Sequence, residues 1–78
     1  MKGDIVKIQN RDELLKRLRE EIDERVKSRL IFLNAIANHG FSYEKASEIC
    51  GISMSTGHVW IRKWNAEGYK GLKEKDTL

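Results

Sequence analysis

The chain has 78 residues, of which 40% are hydrophobic and 35% are charged, and its formal net charge of +3 favours an anionic partner only weakly. This length suffices for one domain with a thin core, and the composition excludes a disordered chain. No apolar run approaches the roughly 20 residues of a membrane span, and a single cysteine excludes an internal disulfide framework, so we expect a cytoplasmic protein with no membrane contact.

The first predicted elements are an arm and the start of a helix. Residues 1–10 alternate briefly between apolar and polar side chains, and no hairpin partner follows, so we expect an extended arm. Asn10 stands three residues before Glu13, which is the spacing of a capping box. This pattern predicts a helix that begins near Arg11.

One apolar stripe runs along the predicted helix. Apolar side chains recur every three or four positions, and neither Pro nor Gly interrupts them before Gly40. The simplest prediction is therefore a single helix over residues 11–38, although a break near Val26 to Ser28 would give two helices. The stripe consists of Leu15, Leu18, Ile22, Val26, Leu30, Leu33 and Ala37.

The two halves of this long helix differ in composition. Residues 11–28 are charged on three sides and leave only a narrow apolar seam, which a second copy of the same helix can bury. We therefore expect this extension to join a homodimer. Residues 29–38 are apolar nearly all round, so we assign them as the first core helix of a domain over residues 29–72.

Two shorter helices are predicted after a break at Gly40. Serine residues in N-cap positions and glycine residues in C-cap positions bound both of them. We expect the polar tail, residues 73–78, to be flexible. The first helix is predicted from Tyr43 to Cys50, between Ser42 and Gly51, and the second from Met54 to about Ala66, between Ser53 and Gly68.

Residues 41–72 have the features of a helix-turn-helix. This motif needs a small residue where its two helices approach each other, a glycine in the turn, and an apolar inner face on the second helix. Ser47 and Gly51 supply the first two. The inward-facing residues are expected to be Ala46, Ile49 and Cys50 on the first helix, and Ile52, Trp60, Ile61 and Trp64 around the second.

The outer face of the second helix carries groups suited to reading DNA. Arg62 can make a bidentate contact with guanine, and Ser55 and His58 can donate to or accept from several bases. The predicted base contacts are Ser53, Met54, Ser55, His58, Val59 and Arg62. The predicted phosphate contacts, which fix register without reading sequence, are Ser42, Tyr43, Lys45, Thr56, Lys63 and Lys70.

No motif in the sequence predicts catalysis. The chain has no Ser/His/Asp set, no glycine-rich phosphate loop and no metal-ligand spacing, so we expect no enzymatic activity, no cofactor and no metal. The rival interpretation comes from another functional class. It is a small helical protein-protein interaction module in which the long N-terminal helix binds a partner.

The turn at Gly51, the tryptophans Trp60 and Trp64 and the segment EGYKGL over residues 67–72 occur together in this sequence. Over about residues 30–75 the chain resembles the N-terminal helix-turn-helix of mariner-like insertion-sequence transposases and of related homeodomain-like proteins. The resemblance implies an all-α, homeodomain-like three-helix fold, with a long N-terminal helix added here. It also implies a third helix that binds double-stranded DNA, for transposon-end recognition or transcriptional regulation. The matching residues are Gly51, Ile52, Ser53, Ser55, Thr56, Trp60, Ile61, Trp64, Glu67, Gly68, Gly71 and Leu72.

The chain departs from this family pattern in two ways. Gly57 stands where the family usually has a buried branched aliphatic residue, so we expect a weakened helix and a gap in the core that the long N-terminal helix fills. In transposases a catalytic domain follows the helix-turn-helix, and this sequence contains no such domain after it. We therefore expect a DNA reader that cannot cut DNA, which is either a stand-alone protein, a remnant or a fragment.

Overall fold

The computed structural model describes residues 7–73, and in that range the chain forms helices joined by turns, without a β-strand. The all-α prediction is confirmed. Residues 1–6 of the predicted arm and residues 74–78 of the predicted tail lie outside the described residues. The helices are α1 (Arg11–Glu20), α2 (Glu24–Ala37), α3 (Tyr43–Cys50), α4 (Met54–Glu67) and α5 (Tyr69–Lys73).

The predicted single helix over residues 11–38 is wrong, because the chain breaks between α1 and α2. Glu21 adopts an extended backbone with ψ of 130°, and Asp23 caps α2 by accepting a hydrogen bond of 2.9 Å from the backbone N–H of Arg25. The break lies at residues 21–23 and not near Val26. Two helices were the alternative that the sequence left open, but the cap at Asp23 sets their boundary.

The apolar seam predicted for dimerisation does not form as one continuous stripe. The chain reverses at the break, and α1 packs against α2 of the same molecule with Leu14 fully buried. Leu15 is 37% exposed and Ile22, in the connection, is 93% exposed. The seam argument for a homodimer therefore loses its basis, and the oligomeric state stays a prediction.

The start of α1 is where the sequence predicts it, but the capping mechanism is different. Asn10 has a left-handed backbone with φ of 55°, and its side chain makes no capping hydrogen bond. Its carbonyl accepts from the N–H of Leu14 at 3.0 Å. Glu13 pairs instead with Arg17, one turn later, at 3.3 Å, so the predicted capping box is absent.

The core includes a short helix, α5, that the sequence pattern did not predict. Leu72 of α5 is completely buried. Arg29 of α2, whose side chain is only 3% exposed, donates a hydrogen bond of 2.9 Å to the Leu72 carbonyl. This charged bond satisfies a carbonyl at the C-terminal end of α5, where a cation is favourable. It fixes α5 against α2.

The described end of the N-terminal arm is also part of the fold. Ile8 is buried, and the Trp64 indole N–H donates to the Gln9 carbonyl at 2.6 Å. The Asn65 side chain accepts from the N–H of Gln9 at 3.0 Å and donates to the Lys7 carbonyl at 2.8 Å. Residues 7–9 are thus bound along the C-terminal half of α4.

Candidate nucleic-acid interface

Helices α3 and α4 form the helix-turn-helix, and local capping sets their ends as predicted. The Ser42 hydroxyl accepts from the N–H of Lys45 at 3.0 Å, and the Ser53 hydroxyl accepts from the N–H of Thr56 at 3.1 Å. Gly51 in the turn has φ of 69°, a conformation that glycine adopts without steric cost. The helix α4 ends at Glu67, one residue beyond the prediction.

The inner side of α3 agrees with the prediction in part. Ala46 and Ser47 are buried, and Cys50 is half-buried, with the pKa of its thiol raised by desolvation. Ile49, however, is 56% exposed, so its predicted inward position is wrong. The buried stripe of this short helix follows a spacing of three or four residues from Tyr43 to Cys50, and Ile49 lies off that stripe.

The inner face of α4 is the centre of the domain core. Trp60, Ile61 and Trp64 are buried as predicted, while Ile52 in the turn is half-buried. The two tryptophans are therefore core residues. The Trp60 ring packs on Phe32 of α2, and the Trp64 indole is bonded to the Gln9 carbonyl, so both rings face away from the exposed side of α4.

The gap expected beside Gly57 is filled. A Cβ atom on Gly57 would lie 2.7 Å from Cζ of Phe32 and 3.1 Å from Cε1 of Tyr43, so these two rings occupy the volume of the missing side chain. Phe32 belongs to α2, within the stretch predicted to fill the gap, and also packs edge-to-face on Trp60 with ring centroids 5.7 Å apart. The sequence showed the vacancy but not which ring fills it.

The outer face of α4 carries the predicted base contacts. Between Met54 and Lys63 the sequence has no acidic residue. Val59 is half-buried and packs against the core. The other predicted base contacts are exposed, and they are Ser53, Met54, Ser55, His58 and Arg62.

A model of the homeodomain-like domain matches residues 23–73, which is more than half of the 78-residue chain. The chain belongs to the homeodomain-like family. No curated protein and no solved structure matches the chain at a significant level. The matched segment begins at the cap of α2 and ends with α5, so α1 is an addition to the homeodomain-like domain. This membership supports DNA binding as the general function and is typical of a non-catalytic module.

The hydroxyls of Ser53 and Thr56, at the start of α4, are hydrogen-bonded to each other. The Ser53 hydroxyl donates its proton to Oγ1 of Thr56 at 3.0 Å while it caps α4. Ser53 can therefore offer a base only a remaining acceptor lone pair. Thr56 is half-buried, and its hydroxyl, which accepts this bond, keeps a proton to donate.

The other predicted phosphate contacts are spread over the homeodomain-like domain. Ser42 and Lys45 line a shallow groove together with Glu44 and Glu48. The two carboxylates would repel a phosphate at this groove. The structure leaves the contacts themselves as predictions. Tyr43 and Lys63 are half-buried, and Lys70 is exposed on α5.

The part of the homeodomain-like protein that the structure describes offers neither a metal-binding cluster nor a membrane-spanning helix. Among residues 7–73, no three or more His, Cys, Asp or Glu side chains are grouped so that they could hold a metal ion. No helix in the same range has the length and apolar character needed to cross a membrane. The outer face of α4 is the candidate functional surface.

Proposed function

We propose that this protein binds double-stranded DNA sequence-specifically, with α4 in the major groove. The observation that carries the proposal is the outer face of α4, where exposed polar groups and the Arg62 guanidinium face solvent without one carboxylate between Met54 and Lys63. A base edge offers donors, acceptors and a thymine methyl group, and phosphates repel acids. This face has the complementary groups and lacks the repelling ones.

The proposed base contacts divide by chemistry. Arg62 donates to O6 and N7 of guanine, and Ser55 and His58 make single hydrogen bonds to bases. Met54 and Val59 pack on thymine methyl groups. Because Val59 is half-buried, its contribution is the smaller of the two.

The biological use of this binding is a finer proposal. The resemblance to mariner-like transposases supports transposon-end recognition, and transcriptional regulation is the other use that a DNA reader of this kind serves. Both uses fit the cytoplasmic location predicted from the sequence. A homodimer would read two half-sites, so a palindromic target would support it.

The proposal is tested by selecting bound sites from random duplexes and then titrating the selected site at increasing salt. A domain that contacts about four phosphates loses on the order of 100-fold in affinity between about 50 and 200 mM salt. Absence of detectable binding at about 50 mM salt, or affinity that does not fall as salt rises, would sink the proposal. That result would favour the rival interpretation, a protein-protein interaction module, although the long single helix that this interpretation assumed is not present.

A further inference from the structure

We propose that Tyr43 is a positioning residue that holds the His58 imidazole on the outer face of α4, which makes His58 a specificity-determining contact. The inference rests on the proposed DNA binding and extends it. It also assigns Tyr43 a different role from the phosphate contact that the sequence predicts.

The first observation is the contact between the two rings. The centroids of Tyr43 and His58 lie 5.6 Å apart, and the ring planes meet at 80°. This is the edge-to-face arrangement that aromatic pairs prefer. An exposed side chain on a helix ordinarily moves among several rotamers on the picosecond to nanosecond scale. The contact with Tyr43 favours one of them for His58.

The second observation is that Tyr43 is itself fixed from the core side. Its ring packs edge-to-face on buried Phe32 at 6.2 Å between centroids, with an interplanar angle of 72°. Its Cε1 atom approaches α4 closely because Gly57 has no side chain. Burial raises the pKa of the Tyr43 hydroxyl, and the nearby backbone of His58 partly offsets this rise. A rigid line of rings thus runs from α2 through α3 to the exposed face of α4.

The consequence for DNA binding follows from the chemistry of imidazole. Its two ring nitrogens present hydrogen-bonding groups in fixed directions, so a held ring accepts one base edge better than another. A freely rotating ring would adapt to several edges and would lose side-chain entropy on binding. The positioning role of Tyr43 uses its ring, whereas a phosphate contact would use its hydroxyl. The two roles can therefore be separated.

The experiment compares Tyr43→Phe, which keeps the ring, with Tyr43→Leu, which removes it, and with His58→Ala. Each protein is titrated with the selected duplex and with duplexes that carry one altered base pair at a time. We expect His58→Ala and Tyr43→Leu to lose discrimination by at least about five-fold at the same base pair. Tyr43→Phe should keep the wild-type preference there.

Three results would overturn the inference. One is a Tyr43→Leu protein that keeps the preference lost in His58→Ala, and another is a His58→Ala protein with an unchanged preference at every base pair. The third is a Tyr43→Phe protein that loses the preference at the base pair read by His58, since that outcome assigns the discrimination to the hydroxyl and not to the ring.

A measurement on the free protein covers the case in which Tyr43→Leu fails to fold. The ring current of Tyr43 should shift the His58 ring proton resonances of wild-type protein away from their values in an unstructured peptide, and Tyr43→Phe should retain that shift. Unshifted resonances in the wild type would overturn the positioning role. If wild-type protein binds no duplex, the proposed function fails, and with it the specificity role.

Discussion

A Cβ atom at Gly57 would lie 2.7 Å from Cζ of Phe32, a separation that real Cβ atoms do not tolerate. The pattern that this chain resembles has a branched aliphatic residue on α4 at that position. Here the same volume is filled by a ring from α2. The glycine is therefore matched to Phe32, and the departure from the family pattern is compensated within the core.

Substitution of Gly57 should destabilise the protein although it improves helix propensity. Alanine in a helix gains about 1 kcal/mol over glycine, but an overpacked core costs about 1–3 kcal/mol. Because Phe32 and Tyr43 would both have to move, we expect Gly57→Ala to lose about 1 kcal/mol and Gly57→Val about 3 kcal/mol or more. Chemical denaturation measures the change.

The close contact between Gly57 and Phe32 also predicts that substitutions at these two positions have non-additive effects on stability. Phe32→Leu shortens the side chain that meets Gly57, so the double variant with Gly57→Ala should be more stable than the sum of the two single changes predicts, by about 0.5–1 kcal/mol. The control is the double variant of Phe32→Leu with Ser55→Ala, which should be additive because Ser55 is exposed on the same helix. Strict additivity would contradict the assignment of the clash to Phe32.

The Ser47 hydroxyl should be dispensable for stability. Ser47 is 3% exposed, and its Oγ atom has no hydrogen-bond partner among residues 7–73. An unsatisfied buried hydroxyl costs about 1–3 kcal/mol, so Ser47→Ala should raise the free energy of unfolding by about 1 kcal/mol. Thermal unfolding monitored by circular dichroism checks this.

Ser53→Ala is the matched control for Ser47. It removes the cap of α4 and should lower stability by about 1 kcal/mol. A loss of stability in Ser47→Ala as large as that in Ser53→Ala would show that the Ser47 hydroxyl is bonded in solution.

Local chemistry explains which parts of the fold could be predicted from the sequence. A serine cap forms hydrogen bonds within three residues, and a turn glycine needs only its own backbone angle, so the ends of α3 and the start of α4 follow from Ser42, Gly51 and Ser53. The burial of Trp60 and Trp64 follows from their size and from the helical spacing of four residues.

The parts that could not be predicted depend on contacts between distant residues. The stripe from Leu15 to Ala37 keeps its spacing through the break, so periodicity alone does not reveal that α1 folds back on α2. The five-residue helix α5 is too short to be stable alone and is held by Leu72 and by Arg29, 43 positions away. The base and phosphate contacts stay predictions because they need DNA.

Stability should depend on pH through the bond between Glu21 and Tyr69. The Tyr69 hydroxyl donates to the Glu21 carboxylate, which links the α1–α2 connection to α5 and lowers the pKa of Glu21 below its ordinary value of 4.5. Because the pKa of Glu21 is lower in the folded protein than in the unfolded chain, the ionised carboxylate stabilises the fold at pH values above the ordinary pKa. This contribution disappears as the pH falls through the folded-state pKa. Because the pair lies near the surface, we expect no more than about 1 kcal/mol.

The measurement is the unfolding free energy of wild type and of Glu21→Gln between about pH 7 and pH 3. The difference should be largest at neutral pH and should shrink as the solution becomes more acidic. Tyr69→Phe serves as a second variant, since it removes the hydroxyl while keeping the ring beneath the Arg17 guanidinium, 4.3 Å from its centroid. A constant difference across this range would exclude the linkage.

Arg62 should contribute more to DNA affinity than any other cation on α4. Its side chain is exposed on the outer face, and a bidentate contact with guanine is worth about 1–3 kcal/mol, so Arg62→Ala should weaken binding by about 5- to 150-fold and relax preference at one base pair. Arg19→Ala is the matched control, because Arg19 is an exposed arginine on α1, outside the matched homeodomain-like segment. Equal losses in the two variants, with unchanged preferences, would mean that net charge and not a base contact accounts for binding. Unchanged thermal unfolding of Arg62→Ala is required for either conclusion.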